Sequence, residues 1–265
     1  MPSVRIPLLA SLALASCLVG GCAEPAPVGM ATERSVPGTC KLLATAEEMV
    51  TSSDVSPAVP CTGPHIYETY AVAEVPASIT ALAQRPGPEQ LQAQTVGVCP
   101  IDPIRPYLGA SELDSQWGIS IWSKVPTRAE WSAGVRAVTC ALVVDSPVPH
   151  RAPVHTMPLA QVMRYSDSAR VRQCRMATTL PYTTCDRAHS GERMGSVGVD
   201  AALTGPARER SALQSCRKRV LEYTGQKSVP GFVPEIVSTS GGAECWLTST
   251  GDDVTGTERG GLVPR

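Results

Sequence analysis

The sequence predicts an α+β protein made of two similar disulfide-stapled modules, each a helix packed on a small antiparallel sheet. Two observations carry the prediction. Eight cysteines fall into two sets of four in the same order, Cys40, Cys61, Cys99 and Cys140, then Cys174, Cys185, Cys216 and Cys245. Their surroundings also correspond. Cys61-Thr-Gly-Pro-His65-Ile-Tyr-Glu68 answers Cys185-Asp-Arg-Ala-His189-Ser-Gly-Glu192, Tyr107-Leu108-Gly109 answers Tyr223-Thr224-Gly225, and Cys140-Ala-Leu answers Cys245-Trp-Leu. A long period that keeps cysteines, a histidine and a glutamate in order reads as a repeated module.

Residues 1–21 read as a lipoprotein signal peptide. One positive charge precedes the apolar stretch Ile6–Val19, which is shorter than the roughly 20 apolar residues a membrane span needs. The stretch ends at Val19-Gly20-Gly21-Cys22, two small residues before a cysteine that would carry the acyl chains, palmitate among them. Leu14-Ala15-Ser16-Cys17 is a second lipobox, and cleavage after Ala15 would give plain secretion. Cysteine parity favours Cys22: cleavage there discards Cys17 and leaves eight cysteines to pair, whereas cleavage before Cys17 strands Cys22 as an odd thiol. Residues 22–38, rich in Pro, Gly and Ala without apolar period, read as a flexible tether.

Module 1 spans residues 39–146. His65–Val75 alternates and is rich in β-branched and aromatic types, so it predicts a strand. Gly87–Gly97 predicts a helix leading to Cys99. Trp117–Trp122 and Gly134–Val144 predict two more strands, with Pro126-Thr127-Arg128 as a turn. Residues 147–160 predict a semi-rigid linker, since Ser146–Pro158 holds four prolines in thirteen residues. Module 2 spans 161–250 and repeats the plan. Glu192–Val199, Glu235–Ser238 and Ala243–Thr248 predict strands, and Gly205–Tyr223 predicts a helix with Ala212, Leu213, Cys216, Val220 and Tyr223 on one face. Residues 251–265, rich in Gly, Thr and Asp, predict a disordered tail.

Net charge is −1 with scattered Arg and Lys, so no basic stripe exists to hold nucleic acid. Aromatic residues make up 4% of the chain, including one phenylalanine, which is thin material for a core. Disulfides fit that deficit, each contributing roughly 2–4 kcal/mol. Bridges Cys99–Cys140 and Cys216–Cys245 would tie each helix to its last strand. Cys40–Cys61 and Cys174–Cys185 then remain, all four local to a module and equivalent between copies.

Chemistry is sparse. The two His-x2-Glu motifs are the strongest metal or catalytic candidates, but on a strand residues three apart face opposite ways. A site joining His65 to His189 would need further ligands. The simpler expectation has each histidine hydrogen-bonding the loop after its cysteine and opening a strand. Ser215-Cys-Arg-Lys218 matches the S-x-x-K nucleophile pattern, but its K-T-G partner is missing and Cys216 belongs to a bridge. No catalytic residue, metal ligand or cofactor is therefore assigned. Trp117, Trp122 and Trp131 lie close in sequence and read by default as core residues, while an exposed Trp131 with Arg128 and Arg136 would suit a protein- or glycan-binding face.

Val59-Pro60-Cys61-Thr-Gly-Pro64-His65 with Glu68, Cys99-Pro100, Pro126-Thr127, Glu130-Trp131 and Gly134-Val135-Arg136 leading to Cys140 resemble the bacterial septum-formation domain family. The resemblance continues through the cysteines and His-x2-Glu of Cys174–Cys245, where Ser-Thr-Ser-Gly-Gly-Ala-Glu244 replaces the Glu-Trp-x2-Gly-Val-Arg stretch. It implies an extracytoplasmic or membrane-anchored protein of a high-GC Gram-positive bacterium, with a part in septum formation and no catalytic residues to carry over. The expected protein is a non-enzymatic envelope lipoprotein on the outer face of the cell membrane. It would be attached by its lipid and would bind an envelope or division protein. A metal-dependent enzyme using His65 and His189 and a lipoprotein binding a small ligand between its modules are the alternatives.

Overall fold

Among the described residues, ten strands and five α-helices follow one another in an order that produces two antiparallel sheets with the same strand plan. The computed structural model describes residues 35–43, 53, 56–114, 118–146, 152–176, 179–239 and 242–262. The expected signal peptide, with Cys17 and Cys22, the first part of the expected tether, Trp117 and residues 263–265 lie outside the described residues. The first sheet contains β1 (Cys40–Lys41), β2 (Ala58–Val59), β3 (Tyr67–Glu74), β4 (Ile119–Lys124) and β5 (Ala137–Val144), ordered β2-β1-β3-β5-β4. The second contains β6 (Gln173–Met176), β7 (Thr179–Thr184), β8 (Gly191–Val197), β9 (Phe232–Thr239) and β10 (Gly242–Ser249), ordered β7-β6-β8-β10-β9. Strand by strand the two orders correspond. Each half thus has five strands, against the three expected for module 1 and for module 2. The sequence Cys174–Cys185, expected to close a loop, is a β6–β7 hairpin.

The expectation of one helix per module holds only in the second half. There α5 (Gly205–Thr224) buries Ala212, Cys216, Val220 and Tyr223 against Met194, Ala243, Cys245 and Leu247, while Leu213 is only half-buried. Spacings of four, four and three put these residues on one face, because i, i+3 and i+4 positions align on a helix. In the first half the cover is four short helices: α1 (Ala77–Thr80), α2 (Pro88–Thr95), α3 (Ile104–Leu108) and α4 (Arg128–Ser132). They insert Ile79, Leu91, Ile104, Leu108 and Trp131 against Val138, Cys140, Leu142 and Val144 of β5. Helix α4 starts at the last residue of the expected turn Pro126-Thr127-Arg128 and continues where no element was expected. Thr127 accepts from the Glu130 amide at 3.2 Å and the Glu130 carboxylate accepts from the Thr127 amide at 2.7 Å, a reciprocal cap that nucleates even five residues.

The four bridges are Cys40–Cys61, Cys99–Cys140, Cys174–Cys185 and Cys216–Cys245, with Cα–Cα distances of 5.2, 5.5, 5.1 and 5.2 Å, inside the usual range. Two of the expected domain limits are corrected. Residues 152–160 do not act as a linker, nor does a new module start at 161: Met157, Leu159, Val162, Met163 and Val171 all pack in the core of the first half. Residues 251–262 are not a disordered tail but lie on the second half, with Val254 bridged to His189. Both corrections have one physical cause, which appears at the His-x2-Glu motifs. No helix among the described residues is long and apolar enough to cross a membrane.

Candidate functional site

Each His-x2-Glu motif holds down a strap that returns after the last strand of its own half. In the first half His65 and His155 exchange backbone hydrogen bonds of 2.8 and 2.9 Å. Four residues further on, the Leu159 and Ala160 amides donate to the Glu68 carboxylate at 2.6 and 3.0 Å, and the Gln161 amide donates to the Tyr107 carbonyl at 2.8 Å. In the second half His189 and Val254 exchange hydrogen bonds of 2.9 and 2.8 Å, the Glu258 amide donates to Glu192 at 2.8 Å, and the Gly260 amide donates to the Tyr223 carbonyl at 3.0 Å. The offsets along the two straps are the same.

Glu68 and Glu192 are 1% and 2% exposed, so their carboxylates have no access to bulk water and must be satisfied from within. Besides the strap amides, Glu68 accepts from the Tyr107 hydroxyl. Glu192 accepts from the Tyr223 hydroxyl at 2.6 Å and from the Thr257 hydroxyl. Burial, followed by the charge of the neighbouring glutamate, pushes both tyrosine hydroxyls well above their ordinary pKa, so they stay protonated donors. The tyrosines belong to the matched Tyr-x-Gly pairs. Gly109 and Gly225 each end a helix at φ +69°, a left-handed conformation in which a Cβ is strained. The sequence correspondence therefore marks a helix end that delivers a hydroxyl to the motif's glutamate.

The histidines hold the preceding loops. Nδ1 of His65 lies 2.8 Å from the Gly63 carbonyl and Nδ1 of His189 lies 2.7 Å from the Arg187 carbonyl. A carbonyl only accepts, so each Nδ1 carries the proton. This is the loop-anchoring expectation for both residues. The structure does not join them into one site, since His65 contacts His155 and His189 contacts Val254. Cys174, Cys185 and His189 converge within 4.8 Å, as do Cys40, Cys61 and Glu68, but in each group the two sulfurs are spent on a bridge. A disulfide sulfur is not the thiolate that a metal or a substrate carbonyl would meet.

Between the halves lies a junction that sequence reasoning missed. Asp114 and Arg172 are 3% and 2% exposed and form a 2.7 Å ion pair, and Arg259 of the second strap reaches Asp114 at 3.3 Å. Arg172 also donates to the Tyr223 hydroxyl at 2.8 Å, so the ion pair continues into the Glu192 cluster. Arg219 grips the Glu112 and Leu113 carbonyls at 3.2 and 2.9 Å. Burial alone would raise the Asp114 carboxyl, and Arg172 with the Ser111 amide and hydroxyl outweighs it, so its pKa falls below the ordinary value. An isolated Asp in a polar stretch carries no sequence signal of such a partner 58 residues away. Two cavities are lined by residues of both halves. One of about 340 Å³ is lined by Ser120, Asp145, Gln173, Tyr182 and Thr184, and one of about 260 Å³ by Pro153, His155, Arg170, Asp186 and Arg187.

Trp131 packs in the core, its default reading, and the alternative binding face of Trp131, Arg128 and Arg136 does not form. Trp131 is 1% exposed, its indole donates to the Leu82 carbonyl at 3.2 Å, and the Arg136 guanidinium covers its ring at 3.8 Å. Arg136 spends its donors on the carbonyls of Thr80, Trp131 and Val135. Arg128 alone is exposed, at the start of α4. The signal that would have placed Trp131 inside is Thr127-x-x-Glu130, which turns the following residues into a helix with Trp131 on its inner side.

The chain matches the protein family described as septum formation over residues 37–249, both sheets included. No curated protein and no solved structure matches it.

Proposed function

Because the chain belongs to the septum-formation family, we propose that it serves septum formation as a non-enzymatic binding protein, tethered to the outer face of the cell membrane by acyl chains on Cys22. The two halves are read as copies of one module. The supporting observation is the repeated strap, with the same strand order, the same offsets and the same Glu–Tyr contact in both. The binding reading rests on how the polar residues are spent. Both His-x2-Glu motifs hold backbone, and all eight body cysteines are in bridges, which leaves surface and inter-half cavities as the parts free to meet a partner. Four bridges also suit an oxidising compartment outside the membrane. The metal-enzyme alternative through His65 and His189 draws no support from their separate placements, and the ligand-binding alternative rests on two inter-half cavities whose walls mix hydroxyls and charges with apolar side chains such as Val144, Pro153, Val154 and Met157.

The test uses the full chain in its own cells. Fatty-acid labelling and membrane fractionation should be lost in Cys22→Ala and retained in Cys17→Ala. A fluorescent fusion should concentrate at division sites, and crosslinking followed by mass spectrometry should recover an envelope or division protein. Labelling that survives Cys22→Ala sinks the anchor assignment. Fluorescence spread evenly around dividing cells sinks the septal role.

A further inference from the structure

The straps are alike in their bridge and in the contacts made four and six residues beyond it, and their chemistry differs at the bridge itself. Where the second strap presents Val254, the first presents His155, and its ring lies against that of His65 with centroids 4.1 Å apart. His155 is 9% exposed and His65 fully buried. Nδ1 of His155 is held by the Met157 carbonyl at 3.0 Å, as Nδ1 of His65 is by Gly63, so both rings are the Nδ1–H tautomer with the lone pair on Nε2. Both Nε2 atoms are buried without a hydrogen-bond partner. Neutral rings tolerate this arrangement. A protonated His155 ring would bury a positive charge beside a second imidazole.

We propose that the first strap is a proton-operated latch: protonation of His155, packed against the His65 ring, releases residues 152–161 from the His-x2-Glu corner of the first half and opens the adjoining cavity, while the second strap stays closed. The surroundings favour this outcome. Burial, then His65, then Arg170 hold His155 down from 6.5 to about 4, against the opposing carbonyls of Met157 and Ile66. Arg187 lines the same cavity, as do Asp145 and Asp186. Those two acids would ease protonation, yet they do not offset burial and the cations. A group whose pKa is lowered on folding stabilises the closed state above its free value and withdraws that stability as pH falls toward the folded value. The window therefore runs from 6.5 down to about 4. Within it, closure of the first strap weakens about 30-fold between pH 7.5 and pH 5, the ratio set by those two values. The cavity concerned is walled by Pro153, Val154, His155, Thr156 and Met157 of that strap, so its access follows the latch.

The second strap is an internal reference in the same molecule. Amide-exchange protection factors, corrected for intrinsic rates, should fall about 30-fold from pH 7.5 to pH 5 at His155, Leu159, Ala160 and Gln161. Those at Val254, Glu258 and Gly260 should hold. His155→Val, which copies the second strap, should flatten the pH response of the first. Equal loss in both straps, loss in neither, or a response that persists in His155→Val overturns the latch. Should that variant not fold, imidazole NMR titration of the unaltered protein decides the matter. A His155 ring titrating far below 6.5 supports the latch, and one titrating near 6.5 overturns it.

Discussion

In the second half a single 20-residue helix covers the inner face of the sheet, and the outer face carries Trp246 under Tyr182 and Arg175, with ring–ring and cation–ring distances of 5.8 and 4.6 Å. In the first half four short helices and the strap cover the inner face, and the outer face supports a second apolar cluster of Leu43, Ile66, Tyr67, Ala141 and Val143. The covers differ in length, number and chemistry. The bridges, the strand order and the Glu-centred closure do not. An apolar cover can be rebuilt from many side chains of suitable volume. A buried carboxylate has no such latitude, because every lost donor leaves charge unsatisfied in a region without water. The shared residues are accordingly those that pin backbone.

The sharpest way to break the comparison is at the junction, which belongs to neither half. Arg172→Ala leaves Asp114 buried with its main partner gone and should cost about 3–5 kcal/mol in denaturant unfolding. A loss below about 1 kcal/mol would mean that Arg259 carries Asp114 unaided. Next come the bridges. Removing Cys99–Cys140, separated by 41 residues, should cost about 4 kcal/mol, and removing Cys174–Cys185, separated by 11, about 3 kcal/mol. Equal midpoints for the two double variants would show that the larger loop is already restricted in the unfolded chain.

If the straps are equivalent, Glu68→Ala and Glu192→Ala should each cost roughly 2–3 kcal/mol, since the first strands two strap amides and a tyrosine hydroxyl and the second one strap amide and two hydroxyls. Proteolytic cutting should move to residues 152–161 in the first variant and to 254–260 in the second. Cutting at the same place in both would refute local closure. The smallest contrast lies within one strap. A Cβ on Gly260 would sit 2.1 Å from the Thr224 carbonyl oxygen, whereas one on Gly261 meets nothing within 4 Å. Gly260→Ala should therefore cost about 2 kcal/mol through backbone displacement. Gly261→Ala should cost only about 1 kcal/mol, from its left-handed φ of +74°. Thermal midpoints in the reverse order would place the close approach elsewhere.

Much of the frame was legible because cysteine order, helix period and the Tyr-x-Gly match are local signals. Helix Gly205–Thr224 was expected within one residue of its observed end, and its glycine stop was visible at Gly225. The straps were not legible. Their hydrogen bonds run from irregular backbone to a carboxylate 91 residues away in the first half and 66 in the second, and Pro, Gly and Thr in such segments look the same whether packed or free. Strands β1 and β2 have two residues each, too few to show alternation. Helix α4 was not expected because Pro126-Thr127-Arg128 reads as a turn between strands, and only the Thr127–Glu130 cap marks the helix that follows.

The straps also impose a schedule on the chain. A ribosome delivers residues in order, and Glu68 stays an unsatisfied carboxylate until residues 159 and 160 emerge. Glu192 waits likewise for residues 257 and 258. Contacts of such long sequence separation form slowly. The nascent first half is thus able to finish while the second is still being synthesised, and each half declares itself finished only when its own last segment docks. A chain stopped short of residue 254 would have both sheets and all four bridges, yet would present an open corner to quality-control proteases.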